Sequence, residues 1–124
     1  MKRIFLIDDE LIILKTLSKL LTKEGFEVLT FDKGQAAIEK IKEAAPDLIV
    51  CDVRMPEMSG VETVKKIREG LAALNQKPVP EIIMTGYAED EQTREIEGLK
   101  VADYIYKPFD IRDFLNCVKK HAGN

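Results

Sequence analysis

The sequence predicts a single α/β domain built on a parallel sheet covered by helices on both faces. Short apolar runs rich in strand-forming residues alternate along the chain with segments in which apolar residues recur at helical spacing. The run Leu48–Asp52 is continuously apolar up to its final carboxylate, a pattern typical of a strand buried on both faces. We expect residues 1–124 to form one domain, without room for an output domain.

Composition excludes several classes of protein. The chain of 124 residues is 45% hydrophobic and 33% charged, which is ordinary for a globular domain. The apolar run at the start ends at Asp8 and is too short for a signal peptide, so we expect a cytoplasmic protein that does not enter a membrane. The net charge of -3 argues against direct binding of nucleic acid.

The cysteines and the histidine carry no metal or disulfide spacing. Cys51, in the central strand, and Cys117, in a helical segment, are most simply small buried apolar residues. His121 is the only histidine, and we expect it to be solvated near the end of a helix.

Five strands are predicted from the apolar runs and the turn residues that bound them. They are Lys2–Ile7, Phe26–Phe31, Leu48–Asp52, Glu81–Met84 and Val101–Tyr106.

The first two helices follow the first two strands. Apolar residues recur at helical spacing from Leu11 up to Gly25. Glycine is common just after the end of a helix, so we expect Gly25 to follow the first helix. Asp32, with Gln35 three positions later, has the arrangement of a capping box, and the helix it opens should extend to about Ala45.

Three more helices are predicted in the second half of the chain. Ser59 and Glu62 form another capping-box pair. The acidic residues 89–91 suit the start of a fourth helix, which Gly98 should close, and Asp110 should open the fifth.

Among doubly wound arrangements we favour the flavodoxin-like strand order 2-1-3-4-5. In a parallel sheet the residues at the carboxyl ends of the strands lie along one edge, where ligands bind. That edge should bring together five polar side chains: Asp8, Asp9, Asp52, Thr85 and Lys107.

This set of side chains indicates phosphoryl chemistry. Carboxylates at close range disfavour joint ionisation unless they share a cation, and Mg²⁺, with Mn²⁺ as an alternative, suits oxygen ligands. A hydroxyl and an ammonium beside a metal-bound carboxylate would suit a phosphoryl group. Asp52, on the central strand, is then the candidate nucleophile, forming an aspartyl-phosphate.

The chain resembles the receiver domains of response regulators, the chemotaxis-regulator-like family of two-component signalling. The residues that carry the resemblance are Asp8-Asp9, Asp52-Val53-Arg54-Met55-Pro56, Gly60, Thr85 and Lys107-Pro108. The resemblance implies a signalling switch that catalyses only its own phosphoryl transfer and dephosphorylation. The phosphoryl group would come from a sensor histidine kinase or a histidine phosphotransfer protein.

The resemblance also implies the metal ligands. Asp52, the phosphoacceptor, and Asp9 would bind Mg²⁺ directly, together with the backbone carbonyl of Arg54. Asp8 would act mainly through water.

Further roles follow from the same resemblance. Thr85 and Lys107 match the hydroxyl and ammonium that contact the phosphate, and Thr85 and Tyr104 match the switch positions. Arg54 and Tyr87 match loop positions that influence the lifetime of the phosphorylated state. The Lys107-Pro108 bond is often cis in this family.

The output surface implied by the resemblance comprises the fourth helix, the fifth strand and the fifth helix. An unknown target or output domain would bind there, and a dimer through the same face is a further expectation.

Each residue also has a structural alternative. Asp9 could cap the first helix, Thr85 could be an ordinary strand residue, and Tyr104 could be a core aromatic. Two other functions compete with signalling. One is a metal-dependent phosphatase acting on an external substrate, and the other is a scaffold insensitive to phosphate.

Overall fold

A five-stranded parallel sheet lies at the centre of the molecule, in the order β2-β1-β3-β4-β5. The computed structural model describes residues 1–86 and 97–123. The strands are β1 (Arg3–Ile7), β2 (Glu27–Phe31), β3 (Leu48–Asp52), β4 (Glu81–Thr85) and β5 (Asp103–Tyr106). The predicted fold class and strand order are confirmed.

Helices cover both faces of this sheet. They are α1 (Leu11–Lys23), α2 (Gly34–Lys40), α3 (Gly60–Ala73) and the last helix (Ile111–Ala122). Residues 97–99 are also helical. The rest of the predicted fourth helix, including the acidic residues 89–91, lies outside the described residues. No helix in the described ranges is both long and apolar enough to cross a membrane.

Alternation of side chains along β1 divides the core into two halves. Ile4 and Leu6 pack into the half beneath α1 and the last helix. Phe5 and Ile7 pack into the other half, beneath α2 and α3. All four side chains are fully buried, each contributing about 1.5–3 kcal/mol by leaving water. The two halves therefore bury β1 on both faces at the centre of the sheet.

Three of the predicted helix boundaries are confirmed by local geometry. Gly25 follows α1 with a φ of 94°, a left-handed conformation that glycine adopts without strain. The Ser59 hydroxyl accepts a hydrogen bond from the Glu62 N–H at 3.2 Å at the start of α3. The Asp110 carboxylate accepts one from the Arg112 N–H at 2.7 Å at the start of the last helix.

The predicted capping box of the second helix is wrong. The residue that precedes α2 is Lys33, not Asp32, and its side chain makes no capping hydrogen bond. Gly34 begins the helix directly against the side chain of Thr63 on α3, so close that a Cβ atom would overlap the Thr63 hydroxyl. The packing of Gly34 against α3 therefore has more influence on where α2 starts than the local capping signal at Asp32 has.

Two predicted helix ends also need correction. Helix α2 ends at Lys40 rather than near Ala45, and turns follow it before Pro46, which disfavours helical geometry in the residue before it. Gly98 does not close the next helical segment, which runs to residue 99. Lys100 instead takes the left-handed conformation, with a φ of 56°.

His121 is not solvated as predicted. Its side chain is 17% exposed, and its Nε2 lies 2.9 Å from Oδ2 of Asp103. Cys117 is half-buried rather than a core residue, and its thiol donates to the same oxygen at 3.5 Å. Cys51 is fully buried, as predicted.

Gly60 is packed against the backbone that carries Asp52. Its N–H donates to the Val53 carbonyl at 2.8 Å. A Cβ atom there would overlap the Asp52 carbonyl oxygen and lie 2.8 Å from the Cα of Val53. The start of α3 thus requires glycine for this close approach.

We expect Gly60→Ala to lower the free energy of unfolding by about 1–3 kcal/mol, because backbone atoms must move to admit the methyl group. Chemical denaturation followed by circular dichroism measures this change. Gly98→Ala is the matched control, since a Cβ atom there meets nothing within 4 Å. Equal effects of the two substitutions would contradict the packing argument.

Candidate functional site

Polar side chains from four parts of the chain meet at the carboxyl edge of the sheet. Asp52 and Thr85 are the last residues of β3 and β4, and Asp8 and Lys107 directly follow β1 and β5. The Lys107 N–H donates to the Thr85 carbonyl at 2.7 Å, which continues the strand pairing by one residue. The parallel arrangement therefore places these side chains side by side.

The Lys107 ammonium lies among three carboxylates. Its Nζ is 3.1 Å from Oδ2 of Asp8 and 3.5 Å from Oδ1 of Asp52. Glu10 Oε1 is 3.7 Å away. The lysine side chain is 19% exposed, so these interactions are partly shielded from water. Lys107 anchors the carboxylates that surround it.

Asp8, Asp9 and Asp52 form a carboxylate cluster. One oxygen from each lies within 4.8 Å of the others. Asp8 is fully buried, Asp52 is 6% exposed, and Asp9 is exposed. The Glu10 N–H donates to Oδ1 of Asp8 at 2.9 Å, which orients the second oxygen of Asp8 toward Lys107.

Glu10, not Asp9, occupies the N-cap position of α1, and its side chain makes no capping hydrogen bond. The helix-capping alternative for Asp9 is therefore wrong. Asp9 belongs to the carboxylate cluster instead.

Burial raises the pKa values of two carboxyl groups at the site, Asp52 and Asp8. The pKa of Asp52 rises to about 6, chiefly because burial disfavours its charged form and next because of the Asp8 charge, while Lys107 opposes the rise. Burial likewise raises the pKa of Asp8. The pKa of Lys107 is raised in spite of burial, because Asp52 and Asp8 favour its charged form. The site thus holds more negative charge than Lys107 compensates.

A cleft of about 700 Å³ opens over this cluster. Its lining includes Asp9, Asp52, Arg54, Thr85 and Lys107. A small anionic group can therefore reach the Asp52 carboxylate from solvent while facing the ammonium and the threonine.

The remaining predicted site residues lie in different surroundings. Thr85 is buried, and Arg54 is exposed on the loop after β3. Tyr104 is half-buried and packs against the core half beneath α2 and α3. Tyr87 lies outside the described residues. The Lys107-Pro108 bond is cis, as the resemblance implies.

Glu10 is a site residue that the sequence reasoning missed. Its carboxylate approaches Lys107, and it lines the same cleft. Glu10 directly follows Asp8 and Asp9 in the sequence, but the sequence reasoning assigned it no role at the site.

A model of the response regulator receiver domain matches residues 4–119. Among curated proteins, the chain is 35% identical over 120 residues to the regulatory protein AtoC of Escherichia coli. It is 34% identical over 125 residues to the chemotaxis protein CheY of Thermotoga maritima. The matches cover 97% and 96% of this chain, but 25% of AtoC and 98% of that CheY.

The fold also matches solved structures. A CheY-like response regulator receiver domain protein from Methanospirillum hungatei superposes with a TM-score of 0.87 at 28% identity, covering 99% of this chain and 94% of that one. Receiver domains are phosphorylation-dependent signalling switches rather than classical enzymes, and response regulators interact with histidine kinases and phosphotransfer proteins. The chain belongs to the response regulator receiver domain family.

Proposed function

We propose that this domain accepts a phosphoryl group on Asp52 and that the resulting charge changes which partner it binds. The observation that carries the proposal is the position of Asp52, a buried carboxylate 3.5 Å from the Lys107 ammonium beside Asp8. The cleft above it gives a phosphoryl donor access to its oxygens.

The carboxylate cluster fits a hard divalent cation. Three carboxylate oxygens lie within 4.8 Å of one another, and burial with repulsion raises the pKa of Asp52. A shared cation would offset that repulsion, and Mg²⁺ takes one or two carboxylates while it keeps several waters. Asp9 and Asp52 would hold it with the Arg54 carbonyl, and Asp8 would assist through water. The cation would supply positive charge to the phosphoryl oxygens.

The chain's own residues account for the transfer step. A carboxylate oxygen of Asp52 forms the new P–O bond while the P–N bond of a donor phosphohistidine breaks. The electron pair of the broken bond returns to the imidazole nitrogen, which takes up a proton. Lys107 and the Thr85 hydroxyl lie at the cleft, where they would stabilise the charge on the transferred group.

The signal would pass to a partner through a change in how the side chains of one surface are packed. The Thr85 hydroxyl would move toward the phosphoryl group, and Tyr104 would turn inward to fill the space. The surface concerned comprises the predicted fourth helix, β5 and the last helix, and phosphorylation would favour the packing that contacts it better. A target protein or output domain, or a second copy of the chain, would bind there. A cytoplasmic location stays a prediction.

The test is incubation of the purified chain with Mg²⁺ and acetyl phosphate, followed by intact-mass measurement. We expect an adduct of one phosphoryl group. The adduct should not form when Mg²⁺ is chelated beforehand, because the carboxylate cluster needs a cation to receive further negative charge. The adduct should be absent from Asp52→Asn. Asp32→Asn is the matched control, since Asp32 directly follows β2 at the same edge of the sheet.

An adduct that persists in Asp52→Asn, or that forms equally without metal, would place the chemistry elsewhere. Steady turnover of a simple phosphomonoester by the wild type would favour the phosphatase alternative instead.

The lifetime of the phosphorylated state should depend on Arg54 and Tyr87, whose bulk would restrict an attacking water. We expect small-residue variants at both positions to lose the phosphoryl group faster than the wild type. Decay of the intact-mass adduct after removal of acetyl phosphate measures the rate. An unchanged lifetime in the double variant would remove this role.

The buried charge of Asp52 should also destabilise the metal-free domain. A raised carboxyl pKa means that the folded state binds the proton more tightly than the unfolded state, so stability falls as pH rises from about 4 to 6. Asp52→Asn should therefore raise the free energy of unfolding at pH 7, without metal, by up to about 3 kcal/mol. Denaturation in chelator at pH 7 and at pH 3.5 (~0.5 below the ordinary Asp pKa) checks this.

At the lower pH the gain should nearly disappear, because Asp52 is protonated in the folded state and mostly protonated in the unfolded state. Asp32→Asn again serves as the control. Mg²⁺ at pH 7 should stabilise the wild type more than Asp52→Asn, and the reverse order would contradict the proposed cation site.

A further inference from the structure

A second group of metal-ligating side chains lies at the opposite edge of the sheet. Asp103 is the first residue of β5, whereas the phosphoryl site follows the last residue of that strand. Cys117 and His121 lie on the last helix, four residues apart and therefore on the same face. All three side chains are half-buried, and their position at the other end of β5 makes the group distinct from the carboxylate cluster around Asp52.

The ligand atoms of this group lie close together. One ligand atom from each residue lies within 4.8 Å of the others. Oδ2 of Asp103 is 2.9 Å from Nε2 of His121 and 3.5 Å from Sγ of Cys117. The Tyr104 N–H donates to the other Asp103 oxygen, Oδ1, at 2.9 Å, which leaves Oδ2 directed at the helix. The carboxylate is thus oriented before any ion arrives.

We propose that Asp103, Cys117 and His121 form a binding site for Zn²⁺. Thiolate, imidazole and carboxylate are the three side-chain ligands that zinc takes in proteins, with bonds of roughly 2.0–2.3 Å. Ligand atoms at those distances around a tetrahedral ion lie roughly 3.3–3.8 Å from one another. The Asp103–Cys117 separation of 3.5 Å lies in this range, and the Asp103–His121 separation of 2.9 Å is close to it. The fourth position would be taken by water, since zinc commonly pairs three protein ligands with a solvent molecule.

The alternative is a hydrogen-bonded contact between β5 and the last helix. In that case the thiol keeps its proton. The pKa of Cys117 is raised to about 12, first by burial and next by the Asp103 charge, with Lys120 opposing the rise. The pKa of Asp103 is lowered in spite of burial, because the His121 ring, the Tyr104 N–H and the Cys117 thiol hydrogen-bond to it. Zinc would displace the thiol proton, so the two alternatives differ in the state of one sulfur atom.

Occupancy would join β5 to the last helix through metal–ligand bonds. These two elements belong to the surface proposed for output, and Asp103 is adjacent to Tyr104. The zinc proposal does not depend on phosphoryl transfer to Asp52, and either can fail alone.

The experiment is titration of the reduced chain with Co²⁺, a spectroscopic substitute for zinc, in excess Mg²⁺ to occupy the carboxylate cluster. We expect one Co²⁺ per chain, with a sulfur-to-cobalt charge-transfer band in the near ultraviolet and ligand-field bands of tetrahedral intensity. Zn²⁺ added afterwards should abolish the bands by displacing Co²⁺.

Three variants decide the assignment. Cys117→Ser should lose the charge-transfer band, and His121→Gln should lose the tetrahedral bands, while both keep the circular dichroism of the wild type. Cys51→Ala should retain all bands, because Cys51 is fully buried and its thiol donates to the Asp52 carbonyl. Absence of a sulfur band in the wild type, or its persistence in Cys117→Ser, would overturn the proposal.

Discussion

The ion pairs of Lys107 with Asp8 and Asp52 are the interactions on which the edge of the sheet depends. Lys107 and Asp8 are 99 positions apart in the chain, yet their side chains are 3.1 Å apart. Only the parallel order of β1, β3, β4 and β5 brings both groups to one edge. Asp8 is fully buried, so without the ammonium its charge would carry an uncompensated desolvation cost. The same contact therefore joins the residue that follows β1 to the residue that follows β5.

The two halves of the core stabilise the sheet against the repulsion between the carboxylates at its edge. Repulsion between Asp8 and Asp52 would separate them if their strands could move. Every residue of β3 and β4 is buried, and these strands have neighbours on both sides. Burial of apolar surface on both faces offsets the cost of the charged edge. The proposed cation and phosphoryl group would then alter the balance of charge at an edge whose central strands are packed on both sides.

Sequence reasoning reached the site because topology alone determines which strand ends meet. Asp52, at the end of a continuous apolar run, and Lys107, just before Pro108, were identified by their positions relative to strands, which the hydrophobic pattern predicts well. Contacts between particular side chains could not be predicted in the same way. Asp32 carries a good capping signal, yet the contact of Gly34 with Thr63 sets the start of α2. His121 looked solvated because no local pattern reveals that Asp103, 18 positions away, faces it. Such pairings depend on tertiary packing.

Strand β5 connects the two edges of the sheet that carry the two groups of polar side chains. It is four residues long and spans roughly 13 Å, with Asp103 at one end and Lys107 just beyond the other. Among the described residues it pairs with β4 alone, so fewer backbone hydrogen bonds oppose its movement than oppose that of β3. Its side chains alternate, and Tyr104 packs inward while Tyr106 is 49% exposed. The proposed change in charge beside Lys107 would therefore act on an edge strand whose first residue, Asp103, contacts His121 on the last helix.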